Sequence, residues 1–267
     1  MQNISKNVSN QYGRALEYVI VAEISQQLQN QLHLTQRAAT DQSRDRIHYL
    51  NLPSTIQQIY QKSAVHIYNW LSNKLSFSDE IVMLDRLPDV AGSGESADVT
   101  DIKVSKDSVD MHLSIKRNHK ALKHQRPSST AQQCGYVLNS QEDISFRESY
   151  TNTLNTFKSV AGNRTLFSNL EKEIIRDYLY RPICQLVVDF LNGYCKQATH
   201  ANFLFRFLVG NKNFYKVTLF DKPTKRKYLL IQEFINITSA TSVVAKVLPT
   251  KYYNYLHFRS LMDGICE

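Results

Sequence analysis

The fold is decided by two short runs of alternating polarity, Asp98-Val-Thr-Asp-Ile-Lys-Val104 and Val109-Asp-Met-His-Leu-Ser-Ile-Lys116. Polar and apolar residues that alternate with a period of two are typical of β-strands. The residues between the runs, Ser105-Lys-Asp-Ser108, are types that favour tight turns. A glycine- and serine-containing loop, Val90 to Ser96, precedes them. The sequence therefore predicts a central β-hairpin over about residues 97–117.

Other patterns surround this hairpin on both sides. Apolar residues at helical spacing predict helices from Tyr12 to Leu32, after Pro53, from Ile144 to Val160, and within the apolar stretch from Leu170 to Val209. The charged segment from Arg37 to His48 is interpreted as a linker. Strands are predicted over residues 214–220, 225–234, 242–248 and 252–258. This order indicates a mixed α/β or α+β protein. We expect a single domain over residues 1–267, with a strand-rich C-terminal part over about 211–267.

Composition limits the classes of function. The 267 residues carry a formal net charge of +8, which favours a polyanionic partner such as nucleic acid. No apolar segment approaches the length of a membrane span. The N-terminal residues lack the apolar run of a signal peptide. The four cysteines lack the CxxC spacing of zinc sites and are interpreted as buried free thiols. A soluble protein of the reducing cytoplasm is predicted.

The hairpin also carries a candidate reactive group. Strand alternation places Ser114 and Lys116 on one face, and Asp101 of the neighbouring strand lies on the matching face. A carboxylate can hold a divalent cation against a phosphate, while a lysine orients or deprotonates water and stabilises developing charge. Magnesium suits such a site because it needs few carboxylates. In the alternative interpretation, Asp98 and Asp101 are loop and strand-entry residues, and Lys116 is a solvated strand end.

A basic segment follows the second run directly: Lys116-Arg-Asn-His-Lys-Ala-Leu-Lys-His-Gln-Arg-Pro-Ser-Ser129. Charge runs are usually solvated surfaces. This one interleaves amides and histidines with its cations, and such side chains can contact phosphates and base edges. The predicted DNA-contacting residues are Asn118, His119, Lys120, Lys123, His124 and Arg126.

The hairpin runs and this basic segment resemble the HaeIII-like type II restriction endonucleases of the PD-(D/E)XK nuclease superfamily. The segment Gly13-Arg-Ala-Leu-Glu17 is similar to the first helix of that group. The resemblance covers the first half of the chain most closely, and residues 118–126 are its most specific part. It implies a restriction-endonuclease-like mixed central sheet flanked by helices.

The resemblance also implies functions for individual residues. Asp101 is the first choice for the motif aspartate and Asp98 is its rival, while Lys116 matches the motif lysine. Glu17 matches a helical glutamate that assists binding of Mg²⁺. Ser114 stands where many relatives carry Asp or Glu, and a hydroxyl is a poorer magnesium ligand than a carboxylate.

The predicted function is cleavage of double-stranded DNA at a short specific site, GGCC by resemblance. A homodimer and a cognate DNA methyltransferase would fit such a system, and the sequence leaves both open. The alternatives are another PD-(D/E)XK nuclease, such as a repair or recombination enzyme, and a DNA-binding relative that does not cut.

Overall fold

A computed structural model of the chain describes residues 4–77, 80–88, 98–119, 122–123, 126–164, 166–222, 225–235, 239–248 and 254–260. The chain divides into two compact units, each built from separate segments. The first unit comprises Met1–Val90, Val99–Leu122 and Lys212–Ile237. The second comprises Ala91–Asp98, Lys123–Asn211 and Thr238–Glu267.

A mixed six-stranded sheet forms the centre of the first unit. Its strands lie in sequence order across the sheet, with the first pair and the fourth and fifth strands parallel and the other neighbours antiparallel. The strands are β1 (Leu32–Leu34), β2 (Val82–Arg86), β3 (Ile102–Lys106), β4 (Val109–Arg117), β5 (Phe214–Phe220) and β6 (Tyr228–Phe234). Because β5 lies beside β4, residues from the last quarter of the chain enter the same sheet as the hairpin.

Three long helices accompany this sheet, α1 (Ile4–Leu28), α2 (Gln36–Leu50) and α3 (Ser54–Leu75). Apolar residues three and four apart give α1 and α3 a continuous apolar stripe. These stripes pack with β-strand residues in one core. Its fully buried members include Leu16, Ile20, Ile24, Ile67, Leu71, Leu84, Ile102 and Leu113. Burial of this core holds the two helices against the hairpin.

The prediction of a charged linker from Arg37 to His48 is wrong, because these residues lie in helix α2. Thr35 caps the helix, since its hydroxyl oxygen accepts a hydrogen bond from the Ala38 amide at 3.1 Å. Few α2 residues are apolar, so the segment lacks the periodicity that indicates a helix. Its charged side chains instead pair along the helix, as in the 2.6 Å contact between Arg44 and Asp41.

The predicted hairpin is present. Strands β3 and β4 pair antiparallel, with Ile102 opposite Leu113 and Lys106 opposite Val109. The turn is shorter than the sequence suggested, because Lys106 still belongs to β3. Asp107 occupies the left-handed region at a φ of 53°, a conformation that aspartate tolerates better than most residues.

The second unit combines helices with a two-stranded antiparallel sheet. Its elements are α4 (Thr130–Gln133), α5 (Gln141–Ala161), α6 (Lys172–Ile175), a π-helical turn (Arg176–Tyr180), α7 (Arg181–Tyr194), α8 (Ala198–Val209), β7 (Ala240–Val247) and β8 (Asn254–Ser260). Phe146, Leu191, Leu204 and Val243 belong to its apolar core. The core therefore joins α5, α7 and α8 to β7.

The predicted C-terminal strands are divided between the units, since β5 and β6 extend the six-stranded sheet whereas β7 and β8 pair with each other. The α/β class with a mixed central sheet is confirmed. Within the described residues, no helix combines the length and the apolar character that crossing a membrane requires. Cys134, Cys184 and Cys195 are buried free thiols, as predicted, and Cys266 lies outside the described residues.

Candidate active site

Asp101 and Lys116 meet at one end of the hairpin. The Lys116 Nζ donates a hydrogen bond to Asp101 Oδ2 at 3.0 Å. The backbone amide of Ile115 donates to the same oxygen at 2.6 Å. Both side chains remain partly accessible, Lys116 at 20% and Asp101 at 27%. A carboxylate held by two donors and still open to solvent can bind a further positively charged group.

Helix α1 adds Glu17 to this electrostatic environment. The pKa of Glu17 is raised to about 7, chiefly by burial and also by the charge of Asp101, while Arg86 and Lys116 act in the opposite direction. Glu17 and Asp101 therefore repel each other as two carboxylates of one site. A cation bound between them would relieve that repulsion.

Arg86, at the end of β2, holds Glu17 in place. It forms an ion pair with Glu17 and a second one with Asp45 of α2, with 2.8 Å between Nη1 and Oδ2. Arg86 is 2% exposed. Burial alone would raise the pKa of Asp45, but hydrogen bonds from Arg44 and the charge of Arg86 lower it overall. Arg86 thus connects α1 to α2 through two carboxylates.

The sequence did not indicate Arg86 as a site residue. The available signal was an arginine directly after the apolar residues and aspartate of Ile81-Val-Met-Leu-Asp85. Arginine is almost never fully buried without a partner, so a strand assignment there would have required acidic partners from elsewhere in the chain.

Ser114 is fully buried and donates its hydroxyl to the carbonyl oxygen of Val99 at 2.7 Å. This bond ties the residues before β3 to β4. Asp101 reinforces the connection, because its backbone amide donates to the Leu113 carbonyl at 2.7 Å. Ser114 therefore fixes the backbone that leads into Asp101.

The rival aspartate, Asp98, is grouped with the second compact unit, whereas Asp101, Ser114 and Lys116 belong to the first. Asp98 precedes the Val99 carbonyl that Ser114 holds. Of these two aspartates, Asp101 carries the 3.0 Å contact with Lys116.

Strand β5 brings two further polar residues beside β4, both of which the sequence missed. The parallel register pairs Lys216 with Ser114 and Thr218 with Lys116. Lys216 is 3% exposed, and both burial and the Lys116 charge lower its pKa. The buried Thr218 hydroxyl has no hydrogen-bond partner in the described part of the chain. A lysine within the apolar strand Phe214–Phe220 was the available signal.

The ends of β4 and β5 are joined by a buried carboxylate. Asp221 accepts hydrogen bonds from Arg117 Nε, at 2.8 Å, and from the Asn118 side-chain amide. The Asp221 backbone amide donates to Asn118 Oδ1 at 3.0 Å. Arg117 also stacks over the Tyr12 ring, with its guanidinium carbon 4.2 Å from the centroid. These three residues, Arg117, Asn118 and Asp221, are called the Asp221 clamp below.

The predicted DNA-contacting segment is divided by the boundary between the units. Asn118 and His119 belong to the first unit, and Asn118 takes part in the Asp221 clamp. Lys123 and Arg126 belong to the second unit, where the Lys123 ammonium lies 4.7 Å from the Phe207 ring centroid. The Arg126 carbonyl accepts a 2.7 Å bond from Gln133. Lys120 and His124 lie outside the described residues.

The carboxylates of Glu17 and Asp101 suit a small hard cation that takes only some of its ligands from the protein. Among the described residues, no group of three or more His, Cys, Asp or Glu side chains forms a metal cage. Magnesium is typically bound by one or two carboxylates and completes its shell with waters and substrate phosphate. Glu17 and Asp101 are the carboxylates that could hold it.

The mixed six-stranded sheet and its accompanying helices are consistent with an α/β restriction-endonuclease-like fold. The model of the family described as HaeIII restriction endonuclease matches residues 13–259. The chain therefore belongs to the HaeIII restriction endonuclease family, and the resemblance of the hairpin and basic segment is confirmed. Membership makes it a type II site-specific deoxyribonuclease that binds double-stranded DNA. No curated protein and no solved structure matches the chain.

Proposed function

We propose that the enzyme hydrolyses DNA phosphodiesters with Mg²⁺ at a PD-(D/E)XK site built from Asp101, Lys116 and Glu17. The observation that carries the proposal is the 3.0 Å Asp101–Lys116 contact beside a second carboxylate whose pKa is raised. Restriction endonucleases generally use divalent metal ions. Magnesium supplies charge stabilisation at the phosphate and activates a bound water.

In this proposal each side chain has a separate task. Asp101 and Glu17 hold the cation, and Arg86 orients Glu17 through its ion pair. Lys116 orients or deprotonates the attacking water and stabilises charge that develops on the phosphate. Strand pairing already fixes the positions of Asp101 and Lys116, so binding of the cation and stabilisation of the developing charge do not require bulk water to reorganise.

Asp98 and Ser114 complete the proposed site. Ser114 acts through position, since its hydroxyl holds the Val99 carbonyl and thereby the backbone before Asp101. Asp98 is proposed as an additional metal ligand. Because position 114 is a serine and not Asp or Glu, Glu17 provides the second carboxylate beside Asp101.

The proposed target is GGCC, which rests on membership of the HaeIII family. Lysine and arginine can each donate two hydrogen bonds to guanine O6 and N7, worth about 1–3 kcal/mol of discrimination per contact. The proposed DNA-contacting residues are Asn118, His119, Lys120, Lys123, His124 and Arg126. Their phosphate contacts would make binding salt-dependent.

Further proposals concern assembly and partners. GGCC reads the same on both strands, so a homodimer with two-fold symmetry would present one site to each strand. A cognate DNA methyltransferase would protect the same sequence in the cell that holds the enzyme. We also propose that residues 1–267 act as one cytoplasmic nuclease domain, with strands from the 211–267 part contacting DNA.

Incubation of supercoiled plasmid with the purified protein tests the proposal, with Mg²⁺ or with EDTA. The expected result is a discrete fragment pattern with Mg²⁺ and intact plasmid with EDTA. Sequencing of the fragment ends should return GGCC, and prior methylation of that sequence should prevent cutting. Ends without a common sequence would refute the proposed target, and intact plasmid under both conditions would refute the proposed activity.

A further inference from the structure

The connection between β5 and β6 is strongly basic. Lys222, Lys225, Arg226 and Lys227, called the basic turn below, are all exposed. Within the described residues, none of these four side chains forms an ion pair with a carboxylate. The Lys225 amide donates a hydrogen bond to the Lys222 carbonyl at 3.1 Å. Four cations at one short connection create a local positive potential that internal carboxylates do not neutralise.

The basic turn lies at the same end of the sheet as the candidate active site. Strand β5 is parallel to β4, with Thr218 opposite Lys116, so β5 continues past the level of Lys116 toward the turn. Strand β6 returns from it, with Tyr228 opposite Phe220. At about 3.3 Å per strand residue, the turn begins roughly 10–13 Å beyond Lys116.

The Asp221 clamp fixes this position. Asp221 directly precedes Lys222 and is buried, with hydrogen bonds to Arg117 and Asn118 at the end of β4. The Asn118 backbone amide also donates to the Leu219 carbonyl at 2.8 Å. The strand that carries Lys116 and the strand that carries the basic turn are therefore joined where both end.

We propose that the basic turn is a phosphate-binding surface of this enzyme, which holds the DNA backbone beside the scissile phosphate. Phosphates of one DNA strand recur about every 3.4 Å along the duplex axis, so a displacement of roughly 10–13 Å along that axis corresponds to three or four steps of the strand. Exposed lysine and arginine side chains are suited to that contact because they can reach different phosphate oxygens without reading the bases.

The proposal rests on the proposed active site at Asp101 and Lys116, and it assigns residues to the expected DNA contact of the strand-rich C-terminal part. It also separates two tasks on β4 and β5. Lys116, near the end of β4, takes part in cleavage of the phosphodiester. The basic turn after Asp221 supplies affinity that does not depend on the DNA sequence.

The test compares two charge-matched variants in DNA binding without metal, where the duplex stays intact. Lys225→Ala/Lys227→Ala removes two cations of the basic turn. Lys62→Ala/Lys74→Ala removes two exposed lysines of helix α3 in the same unit. Fluorescence anisotropy of a labelled duplex is measured for each protein between about 50 and 200 mM salt.

Each phosphate contact contributes about 0.9 to the slope of log affinity against log salt. The parental protein should therefore lose about 12-fold more affinity than Lys225→Ala/Lys227→Ala over that fourfold salt increase. Adding Arg226→Ala should widen the difference to about 40-fold. The α3 variant should retain the parental slope. Lys225→Arg/Lys227→Arg should retain it too, because the charges remain.

A parental slope in the Lys225→Ala/Lys227→Ala variant, or an equal change in the α3 variant, would overturn the proposal. Thermal unfolding is measured for every variant to check that it is folded. Cleavage with Mg²⁺ is measured separately on the parental protein, so a failure of the proposed chemistry and a failure of the phosphate surface give different results.

Discussion

The hairpin formed by β3 and β4 has a lysine–aspartate pair near each of its two ends. Lys116 and Asp101, the site pair, are 3.0 Å apart, and Lys103 and Asp110, the turn pair, are 2.7 Å apart. The turn pair is the more exposed, with Asp110 at 48% against 27% for Asp101. The two pairs have the same chemistry and similar distances, so neither property can distinguish a reactive site from a surface ion pair.

Their neighbours make the difference. Asp110 also accepts a hydrogen bond from Ser105 at 2.6 Å, and Lys103 together with Ser105 lowers the pKa of Asp110. The site pair instead lies near the partly buried carboxylate of Glu17 and the buried ammonium of Lys216. A site with crowded like charges can gain from a bound cation and an anionic substrate, whereas the turn pair is already stabilised.

The largest expected effect comes from Asp101→Asn. This change removes a charge from the proposed metal site and the ionic partner of Lys116, so the cleavage rate should fall about 10³-fold or more. Single-turnover cleavage of plasmid at saturating enzyme measures the loss, and extra Mg²⁺ should not restore it fully.

Asp110→Asn is the matched control, with an expected rate within about twofold of parental because exposed pairs contribute little. Asp98→Asn distinguishes the two candidate aspartates. A severe defect in Asp98→Asn together with normal cutting by Asp101→Asn would show that the assignment is reversed.

Lys116→Ala should lower the cleavage rate about 10²–10³-fold, the usual cost of removing one group that stabilises developing charge. Much of the DNA affinity should remain, because the proposed DNA-contacting residues supply several other cations. Rate and affinity are measured on the same protein by single-turnover cleavage and by anisotropy. Lys103→Ala provides the comparison from the turn pair, and equal rates for the two lysine variants would remove the distinction between the pairs.

Asp221→Asn should destabilise the protein by about 1–3 kcal/mol, because it removes a buried charge that Arg117 and Asn118 require. Urea denaturation measures the change in the free energy of unfolding. Asp221 joins the ends of β4 and β5 as a buried residue, whereas Asp110 joins strands at the surface. An unchanged unfolding midpoint would mean that the clamp contributes nothing to stability.

The smallest effect is expected from the turn pair itself. A double-mutant cycle of Lys103→Ala and Asp110→Ala should give a coupling energy below about 1 kcal/mol. Added salt should reduce it further, because solvent ions screen exposed charges. A coupling energy of several kcal/mol that persists in high salt would contradict this prediction, because buried ion pairs and not exposed ones behave in that way.

Much of the fold could be predicted from local patterns. Alternation over residues 98–116 predicted the hairpin, and apolar periodicity predicted helices α1 and α3. Helix α2 was missed because charged pairs and the buried Asp45 replace an apolar stripe. Strand β2 was missed because it has only five residues and ends at a charged residue, Arg86.

The class of protein could be predicted from the sequence through its resemblance to a known family. The contact between Asp101 and Lys116 could be predicted as the first choice over Asp98, because a β-hairpin brings residues of neighbouring runs together through local pairing. Tertiary structure alone decided that Arg86 connects Glu17 to Asp45, that Lys216 and Thr218 lie beside β4, and that Asp221 fixes the basic turn. These contacts join segments that are distant in the chain. Periodicity reports only which residues of one segment share a face, so it cannot indicate which distant segment will cover that face.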